Sequence, residues 1–234
     1  VFDALADRGV ALTHSAGASA TPIAHTVMMH LVALCRHARP LAVAQSEQRW
    51  ARPPDGNLDV EGRTLGVVGL GSIGAEVARL AGHFGMHVIG VRRHPDGSEP
   101  CETWPVGRLH ELLPRLDDLV LTAPLTAATR GMIGAAELAL LPAGAHVVNV
   151  GRGELVDEAA LAAALATGHL GGAALDVFAT EPLPADSPLW ALPNVIITPH
   201  SAAGTPLGSD RAAAVCTANL ARWARGEPLQ NLRW

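Results

Sequence analysis

The chain has 234 residues, 49% of them apolar, and carries 17 basic against 22 acidic residues for a formal net charge of −5. Such a chain is long and apolar enough to bury a real core, which excludes a disordered one. No basic face stands out to attract nucleic acid or an anionic membrane, so the expected partner is a small molecule.

The first ten residues, VFDALADRGV, hold Asp3, Asp7 and Arg8 where a signal peptide has a basic start and an apolar stretch. The longest apolar runs are broken well short of the roughly 20 residues a bilayer span needs. Three cysteines, Cys35, Cys101 and Cys216, are far apart and lack metal-ligand spacing; a disulfide framework or structural zinc site is not expected, and a reducing, cytoplasmic location is. Residues 22–38, PIAHTVMMHLVALCRHA, read as a helix with Thr21 as N-cap, Pro22 at its first position and Pro40 as its stop. A second helical piece runs to about Trp50, and ARPPDGNLDVEGR reads as a linker before a new unit near Thr64.

From there apolar runs at 65–69, 87–91, 118–122, 145–150, 172–177 and 195–198 are mostly separated by helical stretches. Continuous apolar strands between helices imply a parallel sheet buried on both faces, hence a doubly wound α/β (Rossmann) fold with ligands outside the carboxyl ends of the strands.

The segment LGVVGLGSIGAEVARLAGHFG places Gly69, Gly71 and Gly74 in G-x-G-x-x-G spacing between a strand and an amphipathic helix. Gly69 permits a tight turn, Gly71 close approach of a pyrophosphate and Gly74 close helix–strand packing, with N–H groups near Ser72 and Ile73 facing the anion. The alternative is a glycine-rich turn that binds nothing. Where an acidic residue normally ends the second strand stand Arg92 and Arg93. Guanidinium groups pair with a 2′-phosphate that a carboxylate would repel, so NADP(H) is expected in preference to NAD(H). Alternatively these arginines stack on adenine or face solvent.

Three further strand ends each deliver a polar group: VVNVGRGELVDE gives Arg152, ALDVFATEPLP gives Glu181 and VIITPHSAAGT gives His200. A cation and a proton donor placed together can stabilise and neutralise negative charge that develops on a substrate oxygen. An arginine can fork onto a carboxylate, and a carboxylate beside a histidine favours its charged form. Taken singly, each has a plain reading as a loop cap, a solvated turn or a satisfied histidine. Their joint placement is the signal. The other ten of the 11 histidines fall in no metal-binding pattern, and no metal is expected.

Together with the glycine loop, the segment APLTAATRGMIG and the ending GEPLQN, these motifs resemble the D-isomer-specific 2-hydroxyacid dehydrogenase family over roughly residues 10–232. The resemblance implies that Arg152 holds the substrate's carboxylate and carbonyl, that His200 is the acid/base and that Glu181 hydrogen-bonds it. It further implies that Asp176 contacts the nicotinamide carboxamide and that Ala123, Pro124, Val150, Gly151, His200, Ala202 and Ala203 line the cofactor. Trp190 is expected to be a packed aromatic. Family members are commonly longer, with an N-terminal, flavodoxin-like substrate lobe. The resemblance therefore divides the chain into a remnant of that lobe with the interdomain helix (1–50), a dinucleotide-binding domain (51–205) and a C-terminal helix returning to the substrate domain (206–234). His25 stands where relatives commonly carry glutamate.

The implied activity is reduction of a small 2-oxo acid of the glyoxylate or hydroxypyruvate type to the D-2-hydroxy acid, in a homodimer. Two alternatives are a binding module that senses NAD(P)(H), as related transcriptional corepressors do, and oxidation of formate or phosphite.

Overall fold

A computed structural model describes residues 7–53 and 56–232. The first six residues, part of the expected lobe remnant, lie outside the described residues, as do two positions of the expected linker, 54 and 55. The centre is a parallel sheet of seven strands in the order β3-β2-β1-β4-β5-β6-β7. The strands are β1 (Thr64–Val68), β2 (His87–Arg92), β3 (Glu102–Pro105), β4 (Asp118–Leu121), β5 (His146–Asn149), β6 (Gly172–Leu175) and β7 (Val195–Ile197). Six are the apolar runs of the sequence. The seventh, β3, reads ETWP and pairs only with β2 at the sheet edge, where a strand has no need of two apolar faces.

Side chains alternate across the sheet with the period of two that strand geometry imposes. In β4, Leu119 and Leu121 join one core with Leu112, Leu138 and Leu161, while Val120 joins the other with Val27, Leu31 and Val77. The second core is covered by α1 (Ala20–Cys35) and α3 (Ser72–His83), and the first by α4 (Leu109–Leu112), α5 (Ala135–Leu140) and α6 (Glu158–Ala166). Burial on both faces is why these strands carry no polar alternation.

The first helix differs from expectation at both ends. It starts at Ala20, so Pro22 is its third residue and Thr21 lies inside it; Ser19 holds the N-cap position without a side-chain hydrogen bond. It stops at Cys35 because His37 adopts a left-handed backbone (φ 51°), its ring Nε2 2.9 Å from the Gly56 carbonyl oxygen. A new helix, α2 (Ala38–Ser46), follows, and Pro40 sits in its first turn, where a missing N–H costs nothing. Pro40 therefore opens a helix instead of closing one. The last helix, α7 (Gly208–Ala224), buries only Asn219, whose side chain exchanges two hydrogen bonds with the Gln230 backbone. Beyond it, Leu232 forms a β-bridge with Thr13.

The amino ends of the strands are locked by a buried ion cluster. Arg63 donates from Nε and Nη2 to Asp118 at 2.7 and 3.0 Å, and His146 Nδ1 lies 2.9 Å from the same carboxylate. Burial would raise the Asp118 pKa, but the His146 and Arg63 hydrogen bonds outweigh it and hold the group below the ordinary carboxylate value. All three cysteines are free thiols. No helix among the described residues is long and apolar enough to cross a membrane.

Candidate active site

The polar groups singled out in the sequence collect at the opposite, carboxyl end of the sheet. After β1 the chain turns at Gly69, whose φ of 104° favours glycine and whose added Cβ would lie 2.5 Å from the Ala123 nitrogen. A Cβ on Gly74 would lie 2.1 Å from the Gly69 carbonyl oxygen, so α3 packs directly on the turn. Gly71 is different: its backbone is extended (φ −84°, ψ −163°), and a Cβ there would meet nothing within 4 Å. Among the described residues nothing requires a glycine at 71, and the open space beside it leaves room for a ligand to approach. No side chain caps the start of α3 and its first turn has no acidic residue, so the N–H groups around Ser72 and Ile73 face outward uncapped. These features fit a bound pyrophosphate.

A cleft of about 440 Å³ runs over this loop, lined by Gly69, Gly71, Arg92, Arg93, Ala123 and Pro124 among others. Thr122 donates 2.6 Å to the Gly69 carbonyl oxygen, which ties the loops after β1 and β4 together, and Thr129 donates 2.6 Å to that of Pro124 within the second loop. The two arginines are not equivalent. Arg92 is ion-paired to Glu99 at 2.8 Å, a partner that the sequence reading had not considered.

The turn after β5 is shaped by Asn149, 1% exposed, which accepts from the Gly151 N–H at 3.0 Å and donates to the Arg152 carbonyl at 2.9 Å. Sequence reasoning missed this residue; its only signal was one amide in an otherwise apolar strand. Val150 and Gly151 are buried within the turn, and the exposed Arg152 side chain donates from Nη1 to the Gly151 carbonyl at 2.6 Å. An added Cβ on Gly153 would lie 1.8 Å from the Phe178 carbonyl carbon, so this turn packs backbone to backbone on the one that carries Glu181.

Asp176, just beyond β6, is 2% exposed. Its carboxylate accepts from Thr198 Oγ1 at 2.6 Å and from the Ser201 and Ala202 N–H groups at 3.0 Å each, while its carbonyl accepts the His200 N–H at 2.8 Å. Four bonds thus hold the segment in which His200 adopts a left-handed backbone (φ 50°). Behind it lies the fully buried His30, Nε2 3.5 Å from Thr198 Oγ1, its pKa pushed down by burial against the opposing charge of Asp176. Ala202 is buried with its N–H turned inward to Asp176, and Ala203 is exposed.

Glu181 accepts the Phe178 N–H on one oxygen at 3.0 Å, and its other oxygen is 2.7 Å from His200 Nδ1. A proton on Nδ1 makes that contact a hydrogen bond and leaves Nε2 as the outward-facing ring nitrogen. Burial raises the Glu181 pKa, but hydrogen bonds from His200 and the Phe178 N–H and the charge of Arg152 bring it below the ordinary value. The carboxylate therefore stays ionised beside the ring. An apolar pocket of about 420 Å³ adjoins the pair, walled by Phe178, Leu183, Trp190 and Ile197. Trp190 is 46% exposed there, not a packed core aromatic as expected. Among the described residues no group of three or more His, Cys, Asp or Glu could hold a metal.

Residues 28–202 match the family description "D-isomer specific 2-hydroxyacid dehydrogenase, NAD binding domain". The chain belongs to this family. It is 35% identical over 232 residues to a D-3-phosphoglycerate dehydrogenase of Methanocaldococcus jannaschii, which takes in 98% of this chain but only 44% of that protein. Against a glyoxylate/hydroxypyruvate reductase B of Pectobacterium carotovorum the identity is 37% over 235 residues, covering 98% of this chain and 73% of the relative. A D-isomer specific 2-hydroxyacid dehydrogenase of Xanthobacter autotrophicus, solved in complex with NADPH and MES, superposes with a TM-score of 0.83 at 37% identity, covering 95% of this chain and 91% of that one. The seven-stranded parallel sheet with flanking helices agrees with the fold of these dehydrogenase structures.

Proposed function

We propose that this chain binds a nicotinamide dinucleotide, NADPH in preference to NADH, and reduces a small 2-oxo acid of the glyoxylate or hydroxypyruvate kind to its D-2-hydroxy acid. The observation that carries the proposal is the His200–Glu181 pair at 2.7 Å at the same carboxyl end of the sheet as Arg152 and the glycine loop. The bound nucleotide supplies hydride chemistry. Arg152, always protonated, binds the carboxylate and fixes the carbonyl. His200, its Nδ1 proton held by ionised Glu181, presents Nε2 to the carbonyl oxygen and gives up a proton there as charge develops. Asp176 is a positioning residue for the His200 segment as well as the expected carboxamide contact. Pro124, Val150 and Gly151 line the nicotinamide end, with Ala123 and Ala203.

NADPH preference is supported by arginine in place of a carboxylate at the end of β2 and by NADPH in the Xanthobacter relative. Residues 51–205 form the nucleotide-binding domain in this reading. Exposed Met29, Val43 and Trp50 on and beside the first two helices support the homodimer, and the free thiols a cytoplasmic location.

A second reading, a nucleotide-responsive binding module, is favoured by one observation: the His200 side chain is 51% exposed, so nothing among the described residues shields a reacting carbonyl from water. Loss of reduced-nicotinamide absorbance with glyoxylate, hydroxypyruvate and pyruvate separates the two. Turnover that His200→Ala lowers about 10²- to 10⁴-fold, with nucleotide affinity kept, supports the reductase. Tight nucleotide binding without turnover of any 2-oxo acid refutes it in favour of the module.

A further inference from the structure

Arg92 ends β2 and lines the nucleotide cleft together with Arg93 and His94. Its Nη1 lies 2.8 Å from Glu99 and 3.5 Å from Asp96. The Glu99 side chain is 4% exposed, so the pair is sheltered on the carboxylate side. The same carboxylate accepts the Asp96 N–H at 2.9 Å and the Gly97 N–H at 2.8 Å. Asp96 in turn accepts from the Ser98 N–H at 3.0 Å and its hydroxyl at 2.6 Å. Residues 96–99 thus form a closed turn built around one carboxylate and clasped to Arg92. Among the described residues Arg93 has no ion pair or hydrogen bond of its side chain.

We propose that Glu99 is the residue that sets nucleotide selectivity here: it neutralises Arg92 and leaves Arg93 to carry the discrimination for a phosphorylated adenosine ribose. The inference rests on the reading of the cleft as a nicotinamide-dinucleotide site. A 2′-phosphate brings about two negative charges. The cluster it meets holds two guanidinium groups and two carboxylates and is nearly neutral, but both carboxylates are paired with Arg92. Arg92 keeps Nε and Nη2 for a phosphate oxygen, but its charge is already shared with a carboxylate that repels the same phosphate. Arg93 is unencumbered and can fork onto the phosphate. The chain therefore favours NADPH only modestly, and its full selectivity is masked by Glu99.

The test is titration of the full chain with NADPH and NADH, followed by nucleotide fluorescence, in the wild type and in Glu99→Gln, Glu99→Asp and Arg93→Gln. Glu99→Gln keeps the side chain's size and an acceptor for the turn while removing the charge. It should raise the NADPH-to-NADH affinity ratio about tenfold, one charge-assisted hydrogen bond's worth. Glu99→Asp, which retains the charge, should keep the ratio near the wild type. Arg93→Gln should lower the ratio about tenfold, mostly through NADPH. The gain from Glu99→Gln should vanish when Arg92→Gln is added. A ratio that moves less than about twofold in Glu99→Gln, or equal losses for both nucleotides, overturns the inference while leaving the cleft reading intact. Failure of the wild type to bind either nucleotide overturns both.

Discussion

Replacing Asp176 with alanine removes the acceptor on which the His200 segment depends. The carboxylate takes the Ser201 and Ala202 N–H groups at 3.0 Å and the Thr198 hydroxyl at 2.6 Å, at a site 2% exposed. The hydroxyl can rotate to another acceptor; the two amides cannot, and each buried donor left without a partner costs about 1–3 kcal/mol. With the small void added, the expected loss is about 3–5 kcal/mol, a large fraction of the roughly 5–15 kcal/mol of a typical domain. Urea unfolding followed by far-ultraviolet circular dichroism measures it. Asp176→Asn, which keeps the size and one acceptor oxygen, should fall between the wild type and Asp176→Ala. If Asp176→Ala costs less than about 1 kcal/mol, the segment is held by something other than this carboxylate and the reasoning fails.

Gly71→Val should leave the urea midpoint nearly unchanged, because a Cβ there meets nothing within 4 Å, yet it should abolish measurable nucleotide binding in a fluorescence titration. Gly153→Ala places a Cβ 1.8 Å from the Phe178 carbonyl carbon; the backbone must move, and a crystal structure or urea titration should show a displaced Arg152 turn and a loss of about 2 kcal/mol or more. Asp118→Asn strands the partly buried Arg63 and should cost about 3–5 kcal/mol near neutral pH. The folded Asp118 pKa lies below its unfolded value, so this contribution is complete above the unfolded value of about 3.9 and is lost as pH falls through the folded pKa. Melting temperatures of wild type and variant should therefore converge only in strong acid.

Six strands were legible because each is buried on both faces and so reads as an unbroken apolar run. β3 was not, since its edge position lets Glu102 and Thr103 face outward while Trp104 is held by the Arg108 guanidinium, 3.9 Å from its ring centre. Pro40 misled because proline is tolerated in a first helical turn as readily as it ends a helix, and the left-handed His37 that breaks the chain carries no such mark. Arg152, Glu181 and His200 were visible as polar groups at successive strand ends. The contacts that hold them were not, for their partners are distant in sequence: Thr198 and Asp176, Gly153 and Phe178. The Glu99 partner of Arg92 was hidden for a related reason, since Glu99 reaches it only by way of a turn folded on its own carboxylate.

The Gly153–Phe178 contact has a bearing on how this framework can diversify. Because main chain rests on main chain, the turn bearing Arg152 and the turn bearing Glu181 are held together as one unit, and substitutions that spare Gly153 should leave their spacing as it is. Under the proposed function, adaptation to a larger or smaller acid comes from parts that this contact does not fix, such as Leu183 and Trp190 on the neighbouring apolar wall. Mutational libraries aimed at those two positions should alter the size preference of that proposed activity.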